Sequence, residues 1–202
     1  MKKAMIPALI AVLTLASTSW ANVTIEDFDD DDPDPDTPVT YYVIGTTTEW
    51  DYDASAVPGI YGDFTDPDTG GSARAQITGS GGSIDNFWQG VGTSGAWNEG
   101  ESMYVEFDAD VKLMSFFCDK ASGDIFNVSS TDSDVTSESF VGNGPHAFTG
   151  NPVLDANTPV NIEIDPSTSA AVFMGMTVEI LADLLDGDYN DDGFVAQGDL
   201  DL

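Results

Sequence analysis

Positive charge is nearly missing from this chain. Lysine and arginine number 5 against 36 aspartates and glutamates in 202 residues, a formal net charge of −31. Nucleic acid is bound by basic surfaces that displace counterions, so a nucleic-acid partner is excluded, and an anionic membrane surface is disfavoured for the same reason. The balance suits cations, calcium above all, or simply high solubility in a saline habitat. Cysteine is reduced to Cys118. With no intrachain disulfide available, stability must come from packing or from metal. Cys118 sits in the apolar run LMSFFCD and is expected to be a small core hydrophobe rather than a nucleophile. Histidine is equally scarce: His146, in GNGPHAFTG, has neither a serine motif nor a second histidine to work with. It is expected to be a solvated loop residue without a catalytic role. Helical periodicity is lacking too, since no long segment after the N-terminal stretch repeats apolar residues at 3.6-residue spacing.

What is present begins with an address. MKKAMIPALIAVLTLASTSWA opens with Lys2 and Lys3, continues as an apolar run from Ala4 to Ala16, and ends in the small-x-small site Ser19-Trp20-Ala21. Residues 1–21 therefore read as a secretory signal peptide, cleaved to leave Asn22 first, with the product secreted or held at the cell surface. The run is too short to span a bilayer comfortably, so no transmembrane segment is expected in the mature chain. Residues 22–38 come next as a linker; within them, IEDFDDDDPDPDTP holds eight acids and three prolines in fourteen residues. Such a stretch repels itself and cannot bury enough apolar surface to offset the entropy of ordering.

From residue 39 to 182 the composition turns to aromatics, threonine, valine and glycine, the chemistry of strands and turns. VTYYVIGT is the first apolar run. Between Trp50 and Trp97 the pattern is diffuse, and long loops with short strands are expected. In ESMYVEFDADVKLMSFFCD, Met103, Val105 and Phe107 alternate with Tyr104, Glu106 and Asp108, and after Asp110 a second strand begins at Val111 and Leu113. The pair is read as a hairpin. DIFNVSS and TSESFVG are further strands, and PVNIEI sets Val160, Ile162 and Ile164 on one face. SAAVFMGMTVEIL alternates Val172, Met174, Met176, Val178 and Ile180 against Phe173, Gly175, Thr177 and Glu179. The expected fold is an all-β antiparallel sandwich of jelly-roll type, with Val105, Phe107, Leu113, Ile162, Met174 and Val178 in its core.

No catalytic group stands out. A glycosidase needs only two carboxylates, and 36 acidic residues make any chosen pair uninformative. Aromatics offer a better clue. Trp50, Tyr52, Tyr61, Trp88 and Trp97 fall in Gly-rich, loop-like sequence. Aromatic faces beside carboxylates are what sugar rings stack on, so Trp50, Trp88 and Trp97 are candidate ligand contacts; the alternative is that these rings cap the ends of the core. DFTDPDTGG, with Asp63, Asp66 and Asp68, is read as an acidic turn rather than a calcium loop.

The C-terminal stretch GDYNDDGFVAQGDLDL is more specific. Counted from Asp188 as position 1, it has side-chain oxygens at Asp188, Asn190 and Asp192 (positions 1, 3 and 5) and glycine at Gly193 (position 6). The carbonyl of Phe194 falls at position 7 and a closing carboxylate, Asp199, at position 12. This is the register of an EF-hand-like calcium loop, with Val195 at the apolar position that packs on a partner loop. With Asp in place of Glu at the closing position and no helix before the loop, residues 186–202 resemble the first calcium repeat of a type I dockerin. The resemblance implies a secreted bacterial protein, often one attached to or acting on polysaccharide. It also implies calcium as cofactor and a cohesin-like partner. The sequence departs from the family at Gln197 and Gly198, where hydroxyl residues are common. It stops before the exiting helix and a second repeat, so it is expected to be a fragment of a longer protein. Three function classes are consistent with these features: a secreted binding module for glycan or surface protein, a structural adhesion protein, or part of a polysaccharide-degrading enzyme.

Overall fold

A computed structural model describes residues 23–25, 41–50, 56–66, 70–85, 90–91, 97, 99–119, 121–165 and 171–181. Its strands are β1 (Val23–Ile25), β2 (Tyr42–Val43), β3 (Gly59–Thr65), β4 (Ser72–Gly79), β5 (Ile84–Asp85), β6 (Gly90–Val91), β7 (Ser102–Phe107) and β8 (Val111–Asp119). These are followed by β9 (Ile125–Ser130), β10 (Glu138–Val141), β11 (Gly144–Ala147), β12 (Val153–Leu154), β13 (Val160–Ile164) and β14 (Val172–Ile180). Among the described residues the only helical element is the short 3-10 turn Ser80–Gly82. Every strand pairing is antiparallel. The larger sheet has seven strands in the order β10-β9-β13-β7-β4-β3-β2; the smaller has five, β1-β14-β8-β11 with β12 also on β8; β5 and β6 form a ribbon of their own.

Both sheets contribute to one apolar core. From the larger sheet come Ile60, Phe64, Ile77, Val105, Phe107, Phe126, Val128 and Ile162, and from the smaller Val111, Leu113, Phe116, Phe173, Met176 and Val178. The alternation in burial along β4, β7, β9 and β13 is the period of a strand with one face in the core and one turned outward. The expected core residues Val105, Phe107, Leu113, Ile162 and Val178 are buried.

Three local expectations are corrected. β7 and β8 are not a hairpin: β7 pairs with β4 and β13 in the larger sheet, β8 with β14, β11 and β12 in the smaller. The link at residues 108–110 is fastened on both sides. Asp108 accepts the Arg74 N–H at 2.6 Å, and the Asp110 carbonyl accepts the Leu181 N–H at 3.0 Å. The diffuse stretch after Trp50 contains two full strands, β3 and β4, paired along their length from Gly59↔Thr78 to Thr65↔Ser72. Finally, β14 does not alternate strictly. A register shift between Phe173 and Gly175 makes Met174 the extra residue of a bulge. Phe173 is therefore turned into the core beside Cys118, its partner on β8, and Met174 is only part-buried.

Candidate ligand-binding face

Among the proposed aromatic contacts, Trp97 is fully buried. Its indole N–H donates to the Glu101 carbonyl at 3.0 Å, and its ring lies 5.5 Å from that of Phe126 and 6.4 Å from that of Phe173. This is a core residue and offers no surface to a ligand. Trp50 is part-buried against the core cluster. It donates its backbone N–H to the Tyr41 carbonyl at 2.7 Å and meets the Tyr41 ring edge to face. Tyr41 in turn contacts Phe64, so Trp50 lies on the core side of the β2 edge. For these two rings the core-capping alternative describes what is seen. Trp88 lies outside the described residues, as do the calcium-loop residues Asp188, Asn190, Asp192, Phe194 and Asp199.

His146 is not a solvated loop residue. On β11 it is buried beneath Phe116, Phe140 and Phe126, with ring centroids at 4.9, 5.4 and 5.7 Å. Its Nε2 lies 2.8 Å from the Gly142 carbonyl; a carbonyl only accepts, so Nε2 carries the hydrogen and donates it. Cys118 is buried as expected; burial pushes its thiol well above the usual range, and the Asp124 charge adds to the effect. Several acids of the described loops are tied to backbone. Asp132 accepts the N–H groups of Asp134 and Asp155, and Asp110 that of Ala156. Among the described residues no group of three or more His, Cys, Asp or Glu side chains is placed to hold a metal ion.

The outward face of the larger sheet is where functional groups gather. Cross-strand register sets them in rows. Tyr42, Tyr61, Gln76 and Glu106 form one; Thr78, Tyr104, Asn161 and Ser129 the next; Ser102, Glu163, Asn127 and Ser139 the third. At the β2 edge the Tyr42 and Tyr61 rings stack at 5.6 Å, and the Arg74 guanidinium lies 4.4 Å from the centroid of the Tyr61 ring. Arg74 is held there by a bidentate bond to Asp63, Nε to Oδ1 at 2.7 Å and Nη2 to Oδ2 at 3.0 Å. That bond, more than the ion pair's bare charge, draws the Asp63 carboxyl below its ordinary range. Asn161 Nδ2 reaches Ser129 Oγ at 3.5 Å, whereas its Oδ1 is buried without a hydrogen-bond partner among the described residues. An acceptor left so costs about 1–3 kcal/mol of folding stability.

Of these residues, Tyr61 falls in sequence that reads as loop, and Tyr104 is visible in the sequence only as an outward position in the β7 alternation. The signal that could have found the face is the type of those outward residues: tyrosine, amide, hydroxyl and carboxylate, on strand after strand.

The fold and site define the class only to the level of an all-β protein with two antiparallel sheets on a shared core. Comparison with family models, with curated proteins and with solved structures gives no match. No helix among the described residues is long and apolar enough to cross a membrane.

Proposed function

We propose that this chain is a secreted, non-catalytic binding module that holds a glycan or a cell-surface protein and carries a dockerin-like calcium tail for attachment or assembly. The observation that supports it most is the outward face of the larger sheet. There, tyrosines, amides, hydroxyls and carboxylates line up in rows on a rigid ladder, the mixture of apolar ring and polar group that recognition sites use. The sandwich is of jelly-roll type in this reading. In support, the chain passes from one sheet to the other at β7–β8, β8–β9, β10–β11, β12–β13 and β13–β14 while both sheets feed one core. Export is the role of residues 1–21. The tail contributes through Asp188, Asn190, Asp192, Asp199 and the Phe194 carbonyl as calcium ligands, with a cohesin-like domain as the partner such a repeat would take.

The test pairs retention with turnover. The exported chain is applied to a polysaccharide panel and to intact bacterial surfaces, and both bound protein and released reducing sugar are measured. Retention without release is expected. Release of reducing sugar overturns the non-catalytic reading in favour of a polysaccharide-degrading enzyme, and failure to be retained on either support overturns the binding module itself.

A further inference from the structure

We propose that the ligand is an uncharged, extended polysaccharide and that it lies across the strands of the larger sheet along the row Thr78, Tyr104, Asn161 and Ser129; the inference rests on the binding-module reading above. Geometry supplies the first reason. The row runs from β4 through β7 and β13 to β9, at right angles to the strands. Neighbouring strands are about 4.7–4.9 Å apart, close to the length of one pyranose unit in an extended chain, so a polymer in this direction meets one side chain per sugar.

Chemistry supplies the second. Hydroxyl, phenol and amide groups both donate and accept, as sugar hydroxyls do, and the Tyr104 ring adds an apolar surface for a sugar's C–H face. Asn161 Oδ1 is an acceptor with no partner among the described residues, and a hydroxyl donor drawn to it by a side-chain shift would satisfy it.

Charge decides which polymer. Glu106 flanks the row on one side and Glu163 on the other. Arg74, the cation on this face among the described residues, lies beyond the Glu106 row and is already engaged by Asp63. A polyanion would meet a carboxylate on each side of the row's centre, at Glu106 and Glu163, whereas a hydroxyl-rich neutral chain meets acceptors for its protons there. A protein partner is less well matched. The cores of such interfaces are depleted in charged residues such as glutamate, whereas Glu106 and Glu163 flank this row and the exposed aliphatic of the described residues, Val141, stands on the edge strand β10, away from it.

Isothermal titration of the exported full-length chain tests this, with cellohexaose, xylohexaose and mannohexaose as neutral probes and hexagalacturonate as the anionic one. At least one neutral hexasaccharide should bind, weakened tenfold or more by Tyr104→Ala and by Asn161→Ala and less than twofold by Val141→Ser. Asn161→Ala removes a poorly satisfied group and should fold; thermal melting of each variant confirms that the chain being titrated is folded. Binding unchanged in both row variants, or binding of hexagalacturonate alone, overturns the proposed ligand and row while leaving a binding module in place. Failure of all four probes overturns it as well. The module reading is then judged by retention on bacterial surfaces, which makes no use of the row.

Discussion

The carboxylate of Asp132 accepts the backbone N–H of Asp155 at 2.8 Å, and the two side chains are pushed in opposite directions as acids. The N–H groups of Asp155 and then Asp134 hold Asp132 below the ordinary carboxylate value of 3.8. The Asp132 charge, followed by desolvation and the charges of Asp110 and Asp134, holds Asp155 above it. A lowered folded value contributes stability that is present above the unfolded value and lost as pH falls through the folded one. A raised value has the opposite sign, so ionised Asp155 costs stability as pH rises through its folded value. Asp155→Asn should therefore raise the melting temperature at pH 7, because it removes the repelled charge and keeps the backbone N–H that Asp132 accepts. At about pH 3, below the ordinary carboxylate value that Asp155 exceeds, Asp155 is largely protonated and the gain should shrink towards zero. A gain of equal size at both pH values would show that charge is not its cause.

Trp97 should be a major support of the core. Trp97→Ala removes a fully buried ring that touches Phe126 and Phe173 and abolishes the bond to the Glu101 carbonyl. The expected loss is about 3–5 kcal/mol in urea unfolding. Soluble glycans should leave the Trp97 fluorescence unchanged in a variant where it is the sole tryptophan. Quenching by glycan would return the residue to the binding surface.

At the β14 bulge, neighbours should differ sharply. Phe173→Ala should cost about 3–5 kcal/mol, and Met174→Ala about 1 kcal/mol, because the register shift turns Phe173 inward and leaves Met174 part-buried. A larger loss in denaturant midpoint for Met174→Ala than for Phe173→Ala would mean that the strand alternates without a bulge.

Calcium affinity should depend on a second repeat C-terminal to the loop. On the proposed dockerin-like reading, calorimetric titration of the present chain should show weak binding and that of a chain extended through such a repeat tight binding, because an isolated EF-type loop lacks the paired loop and exiting helix that complete such a site. Asp188→Ala should abolish the tight phase. An extended chain that binds no better, or a control that binds as well, leaves the tail as a solvated acidic end.

Legibility tracks the size of the inward side chains. β7 and β13 are plain in the sequence because Val105, Phe107, Val160 and Ile162 are large, and each alternates with a polar neighbour. β3 and β4 are obscure because many of their inward positions hold Gly62, Ala73, Ala75 and Gly79, which pack well between sheets yet carry little hydrophobic signal. Periodicity names the face a residue takes but not the strand beside it, and so β7 and β8, adjacent in sequence, fall into different sheets. The row through Tyr104 is hidden for the same reason. Tyr104 can be assigned outward, but its neighbours Thr78, Asn161 and Ser129 come from distant segments whose register no local pattern fixes.

Among the described strands β1 is the first to be made, and its partner β14 is the last. Val23 sits opposite Val178, and Ile25 opposite Met176. A chain that emerges N-terminus first therefore carries an edge strand with nothing to pair with until the whole of the intervening sequence has appeared. The sheet cannot close on a nascent or half-threaded chain. Pairing of β1 is therefore a late contact, possible only once residues 172–180 have been made, and it spans nearly the entire domain.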